Sequence, residues 1–232
     1  MITLRKAADR GRADFGWLDS RHSFSFGEYY DPNHMGFRSL RVINDDRVAG
    51  GGGFSPHPHR DMEIFSYVLE GQLAHEDSMG NRRTLEPGQV QLMSAGRGVT
   101  HGEFNPSKTA STRFLQIWIQ PDRKGLTPSY TEWRPRPIDV NAPKVLVISP
   151  DGRDDSATIH QDAFVYRIRM KAGDEVGHTL AGGRGLWLQI MTGAATLNGM
   201  ALAEGDGACA EQPASYVIQA AADVEALLFD LK

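Results

Sequence analysis

The sequence predicts an all-β protein built as two β-barrel halves in tandem, and three observations carry that prediction. Short runs rich in branched and aromatic residues recur roughly every ten residues, separated by Gly, Pro and Asn-Gly. Glycine supplies 25 of 232 residues, well above the usual ~7%, so the chain turns often, which disfavours a helical bundle. The order of strands and turns before residue 121 recurs faintly after residue 143, as a duplicated barrel would require.

The elements follow in order. Phe37 to Ile43 reads as a strand, and the polar run Asn44-Asp45-Asp46 as the turn that ends it. Ile64 to Leu69 reads as a strand closed by Glu70-Gly71, and Gln89 to Met93 as one that follows Pro87-Gly88. Thr112 to Ile119 is the clearest: Phe114, Gln116 and Trp118 face one way, and Leu115, Ile117 and Ile119 the other. Apolar groups on both faces predict that it is buried between layers. Residues 121 to 143 then carry Pro121, Pro128, Pro135, Pro137 and Pro143, the composition of a connection between domains. Beyond it, Val145 to Ser149, Ala163 to Met170, Leu186 to Met191, Tyr216 to Gln219 and Glu225 to Asp230 read as strands, with Asn198-Gly199 as a hairpin turn. Ala220 to Leu231 has helix-forming composition, but the repeat makes its later part a strand. The expected division is a barrel over 1–130, a Pro-rich linker over 131–142 and a second barrel over 143–232.

Composition narrows the function. There are 25 Lys+Arg against 29 Asp+Glu, a net charge of −4 with the signs mixed, which argues against direct nucleic-acid binding. The longest apolar runs are four residues, as in Val145-Leu146-Val147-Ile148, too short for a membrane span of about 20. Met1 to Lys6 lacks the apolar core of a signal peptide, so the expected location is the cytoplasm. Cys209 is the single cysteine, which leaves no internal disulfide and no Cys-rich zinc site.

Two Gly-rich stretches carry chemistry. One runs from Gly51 to His59 and contains His57-Pro58-His59; the other runs from Gly96 to Asn105 and contains His101-Gly102-Glu103. Residues i and i+2 of a strand share a face, so each pair projects together. If both strands face one interior, three imidazoles and one carboxylate converge. That set suits a divalent transition metal and leaves coordination positions for substrate and dioxygen. Three neutral histidines and one carboxylate leave the ion a net charge of about +1, which favours an anionic oxygen ligand and lowers the pKa of a coordinated hydroxyl. The alternative is that these are surface-loop histidines beside a solvated Glu103. Phe54 and Phe104 sit at odd offsets from the ligands, so regular strands turn both away from the site. His75-Glu76-Asp77 resembles a ligand cluster, but neighbouring residues alternate faces, and His22, His34 and His160 read as structural.

The stretch Gly51-x5-His57-x-His59-x3-Glu63 with Gly71 resembles the first cupin motif, and Gly98-x2-His101-x3-Asn105 the second. The late Gly71, the Gly96 in place of proline and the His101-x-Glu103 pair resemble the pirin family of bicupins. So do Phe24-Ser25-Phe26, Leu40 to Asp46 and His75-Glu76-Asp77-Ser78. The resemblance is specific over about residues 15 to 120 and looks closest to bacterial pirin-like proteins with quercetin 2,3-dioxygenase activity. It implies two cupin-type (jelly-roll) barrels with one metal, in the first barrel, held by His57, His59, His101 and Glu103. Glu63, a ligand in most cupins, is not one in pirins and is carried as a residue supporting the ligands. In the second barrel, counting from Gly193 and Gly205 puts Thr179, Ala181, Ile218 and Ala220 where the first has its ligands, so no metal is expected there.

The resulting expectation is a metal-dependent dioxygenase of a small aromatic substrate, a flavonol such as quercetin, with dioxygen as co-substrate. By the family resemblance, the ring opens with loss of carbon monoxide. Fe(II) is the first choice of ion, with Zn, Cu, Mn, Ni or Co as alternatives. Glu103 is the candidate catalytic residue, taking the proton of the substrate hydroxyl. The rival expectation, also from the resemblance, is a non-catalytic metal or redox sensor that regulates a protein partner.

Overall fold

Alternating branched and apolar residues dictate extended backbone. The computed structural model, which describes residues 1–232, is built of strands, with only two 3-10 turns, Ala7–Asp9 and Arg153–Asp155. In chain order the strands are β1 (Ile2–Arg5), β2 (Gly11–Asp14), β3 (Leu18–His22), β4 (Leu40–Val48), β5 (Gly53–His59), β6 (Glu63–Glu70), β7 (Leu73–Asp77), β8 (Arg82–Leu85), β9 (Val90–Ser94), β10 (Val99–Phe104), β11 (Thr112–Ile119) and β12 (Ser129–Trp133). They continue with β13 (Lys144–Ser149), β14 (Ala157–Thr158), β15 (Ala163–Met170), β16 (Glu175–Leu180), β17 (Gly185–Thr192), β18 (Ala194–Leu197), β19 (Met200–Ala203), β20 (Gly207–Ala210), β21 (Ala214–Ala220) and β22 (Val224–Leu231).

Two compact units result. One comprises Gly11–Arg134 with Ala157–Gln161; the other comprises Met1–Arg10, Pro135–Ser156 and Asp162–Lys232. The sequence reading divides the chain at 131–142 and assigns residues 1–10 to the first barrel. Here they join the second unit, because β1 pairs antiparallel with β20 from Ile2↔Ala210 to Arg5↔Gly207. The Pro-rich stretch is likewise anchored: the fully buried Arg167 donates from Nη2 to the carbonyls of Asp139 and Ala142.

In the first unit an antiparallel sheet of order β12-β9-β6-β11-β4-β3-β2 faces a four-stranded sheet of order β5-β10-β7-β8. In the second, strands in the order β1-β20-β17-β22-β15-β13 face β16-β21-β18-β19. The two interiors differ. The second unit packs one continuous apolar core from both of its sheets, including Leu188, Ile190, Leu197, Tyr216, Ile218 and Leu228. In the first unit, Val48, Val68 and Phe114 belong to one apolar cluster, while Ile64, Met93 and Val99 belong to another. Between these clusters runs a lateral row of polar side chains, His22, Asn44, Gln116, Ser66 and Gln91, each paired in register with the next across five strands.

Two local expectations change. Asn44-Asp45-Asp46 is not a turn but the middle of β4. The chain stays extended because Asp45 forms a buried two-bond ion pair with Arg113 of β11, 2.9 Å on each arm, while Asn44 and Asp46 face the interior. Glu63 lies on the opposite face of β6 from Ser66, away from the imidazoles. Its carboxylate accepts from the Ser94 hydroxyl (2.6 Å) and the His160 backbone N–H (3.3 Å). The turn at residues 60–62, with Asp61 at φ 50°, breaks the parity that would have aligned Glu63 with His59.

Candidate metal centre

The small sheet of the first unit brings the Gly-rich stretches together. β5 pairs with β10 so that His57 lies opposite His101 and His59 opposite Val99. The three rings of His57, His59 and His101 sit 4.7 to 4.9 Å apart, centre to centre, and their ring nitrogens lie within 4.8 Å of one another. His57 and His59 are half-buried, and His101 is 2% exposed.

Hydrogen bonding leaves nitrogen lone pairs free. The His57 Nδ1–H donates to the Ser55 carbonyl at 2.8 Å, so Nε2 carries the open lone pair. Both ring nitrogens of His101 are buried without a hydrogen-bond partner. Such orphaned buried atoms are costly unless something occupies the site, and a divalent ion answers the need. Burial, reinforced by the neighbouring imidazoles His101 and His57, lowers the His59 pKa to about 4. Burial together with His57 and His75 lowers that of His101 to about 3. All of this favours the neutral form that binds metal.

Glu103 is fully buried on the same strand as His101. Its Oε1 accepts from Ser66 Oγ (2.8 Å) and Gln91 Nε2 (2.6 Å), and its Oε2 from Gln116 Nε2 (2.7 Å). The polar row of the large sheet therefore orients this carboxylate. Glu103 approaches His101 and His75 within 4.8 Å, a grouping that overlaps the three-histidine group at His101. His75 was read from sequence as part of an alternating run. Its partner, however, is Asp77, two residues on and on the same face, with Nε2 3.1 Å from Oδ2. This i,i+2 pairing was the available signal.

A cavity of about 720 Å³ opens beside His57 and His59, within the range that takes a small organic ligand. Trp17, Phe26, Tyr29, Phe54 and Trp118 supply its aromatic walls, and Ser20, His22, Asn44, Asp46 and Gln116 its polar lining. Trp118 meets the His59 ring edge-on at 4.9 Å, and Phe54 packs against Trp17 at 5.3 Å. Phe104 is exposed, as strand parity predicts, but Phe54 lines the cavity. The reason is a bulge: His101↔His57 is followed by Glu103↔Phe54, three residues on one strand against two on the other, which reverses the facing of Phe54. His22, read as structural, also lines this cavity, whereas His34 is bonded to Asp31 (2.7 Å) and His160 sits 3.0 Å from the Ser94 hydroxyl.

In the second unit His178 pairs with Tyr216 and Leu180 with Ala214, and His178 and Leu180 are buried while Thr179 between them is exposed. Counting back from Gly193 therefore lands one residue out of parity on β16, whereas Ile218 and Ala220 of β21 are buried. The one imidazole is engaged on both nitrogens, by Asp230 (2.8 Å) and Lys144 (3.0 Å).

Residues 4–119 match the family model described as Pirin, and residues 146–231 match that of the quercetinase C-terminal cupin domain. The quercetin 2,3-dioxygenase of Escherichia coli strain K12 is 48% identical over 231 residues, covering 100% of this chain and 99% of that protein. A pirin-like protein of Caulobacter vibrioides is 41% identical over 229 residues, covering 97% and 98%. The crystal structure of the Escherichia coli bacterial pirin YhhW in complex with nickel(II) superposes with a TM-score of 0.95 at 48% identity, covering 100% of this chain and 99% of that one.

Proposed function

The chain belongs to the pirin family, and on that premise we propose that it is a metal-dependent dioxygenase that opens the ring of a flavonol such as quercetin. One observation carries the reading: an aromatic-walled cavity of about 720 Å³ is lined by His57 and His59, whose cluster-mate His101 is buried with both nitrogens unpartnered. A cavity of this size with five aromatic side chains in its walls suits a planar aromatic molecule.

In this reading His57, His59, His101 and Glu103 hold one divalent ion, with Fe(II) as our first choice and nickel the ion bound by the Escherichia coli relative. When bound, the ion supplies Lewis acidity toward the substrate enol oxygen and an electron-transfer partner for dioxygen. The chain's own residues do the rest. Trp118 and Phe54, both in the cavity lining, offer aromatic surface to the flat rings and help exclude water. Glu103 accepts the 3-hydroxyl proton if it releases one of its three donors, Ser66, Gln91 or Gln116. Anaerobic titration of the metal-loaded protein with quercetin, followed by oxygen, tests the assignment. A shifted quercetin spectrum that decays only after oxygen is the expected result. A shift without decay favours the sensor reading, and no shift at all removes the flavonol.

A further inference from the structure

Asn44 and Asp46 take no part in holding the imidazoles, yet both line the cavity that ends on them. They stand two residues apart on β4, about 6.6 Å along the strand, and share its inward face. Each is 2% exposed, and the Oδ1 atom of each is buried without a hydrogen-bond partner. Two unpartnered acceptors side by side on one face of a strand are costly to bury. The fold-stabilising ion pair of β4 is made by Asp45 on the other face; Asp46 has the Ser20 hydroxyl opposite it on β3, which leaves its Oδ1 acceptor open. A ligand bearing two donors would satisfy both.

We propose that Asn44 and Asp46 form a hydroxyl-recognition subsite, selecting aromatic substrates that carry free phenolic hydroxyls on a ring remote from the metal-binding enol. The inference rests on the flavonol reading and deepens it by naming the substrate feature read and the residues that read it. The Asp46 carboxyl serves this role in either protonation state. Burial raises its pKa to about 7, with the Ser20 hydroxyl opposing and Asp45 and Glu103 reinforcing. As a carboxylate it accepts from a phenol, and as an acid it both donates and accepts. A site built to bond a hydroxyl rejects the analogue that lacks it, because its own buried groups are left unpaired.

The test is anaerobic absorbance titration of the metal-loaded protein with quercetin and with a flavonol that keeps only the 3-hydroxyl. The wild type should bind quercetin about ten- to hundredfold more tightly. Asp46→Leu and, separately, Asn44→Leu should bring that ratio close to one while leaving metal content and affinity for the plain flavonol unchanged. Asp46→Asn, which keeps an acceptor, should retain most of it. If Asp46→Leu does not fold, Asn44→Leu carries the same expectation. A preference that survives both leucine variants, or its absence from the wild type, overturns the subsite and leaves the flavonol reading standing. Failure of the wild type to bind either flavonol overturns both.

Discussion

Glu103 and Asp46 are both buried carboxyls close to the imidazole cluster, yet their surroundings assign them different work. Glu103 receives three hydrogen bonds, from Ser66, Gln91 and Gln116, which fix the orientation of its carboxyl group. Glu103→Gln keeps the shape but removes the charge; flavonol turnover should fall at least a hundredfold while a fraction of the metal remains, as measured by metal content and oxygen uptake. Unchanged kcat would remove Glu103 from proton transfer. Asp46 instead carries a folded-state pKa raised from 3.8 to about 7, chiefly by burial. Below pH 4 it is protonated whether the chain is folded or not, so it costs nothing. Between pH 4 and 7 only the folded state holds the proton, so stability is lost as pH rises, by up to a few kcal/mol above pH 7. The groups that share this field are Ser20, the adjacent Asp45 on the other face of β4, and Glu103. Asp46→Asn should therefore raise Tm relative to wild type more at pH 8 than at pH 5, in metal-free protein; a pH-independent difference would contradict the shift. The meeting of His57, His59 and His101 was legible in sequence because i,i+2 spacing survives in short strands. The role of Asn44 and Asp46 was not, because an Asn-Asp-Asp run is turn chemistry until a distant Arg113 makes it extended.

At the scale of elements, the polar row explains what a periodicity reading leaves out. Gln116 was placed on the same face as Phe114 and Trp118, and that alternation holds, but nothing local says that a polar residue there faces the interior. Its meaning comes from register: Asn44, Gln116, Ser66 and Gln91 are neighbours on four strands, and three of the four grip Glu103. Gln116→Leu should weaken metal binding about ten- to hundredfold with little loss of β-sheet signal, as measured by competition with a chelator. Unaltered affinity would show that the row does not support the ligand. The bulge opposite His101 is the second such feature. It turns Phe54 into the cavity, and Gly53 beside it has no room for a side chain, since an added Cβ would lie 2.5 Å from that of Phe104. Sequence alone gave no sign of the extra residue, only the glycine that permits it.

Over the whole molecule, strand-rich halves and the tandem arrangement were readable from strand spacing and turns, and the five second-half strands read from sequence fall within two residues of their observed ends, while β14, β16, β18, β19 and β20 were not delimited. The sorting of segments between units was not, because it depends on edge pairing far apart in sequence. β1 completes the edge of the second unit against β20, and the Ala7 N–H donates to Asp206 (2.7 Å). Deleting Met1 to Lys6 should lower the thermal stability of the second unit by exposing β20, while the metal-binding stoichiometry stays unchanged; loss of metal on deletion would contradict the assignment of these residues. The contrast between interiors is the larger lesson. A continuous apolar core in one unit and a polar row between apolar clusters in the other distinguish the two halves of the duplicated fold.

In the proposed function His57, His59, His101 and Glu103 hold one ion beside the aromatic cavity. Metal content of untagged wild type and His101→Ala, measured alongside β-sheet circular dichroism, tests it most directly. The account predicts about one ion per chain in the wild type and almost none in a folded variant. A folded His101→Ala that retains a full equivalent would contradict it.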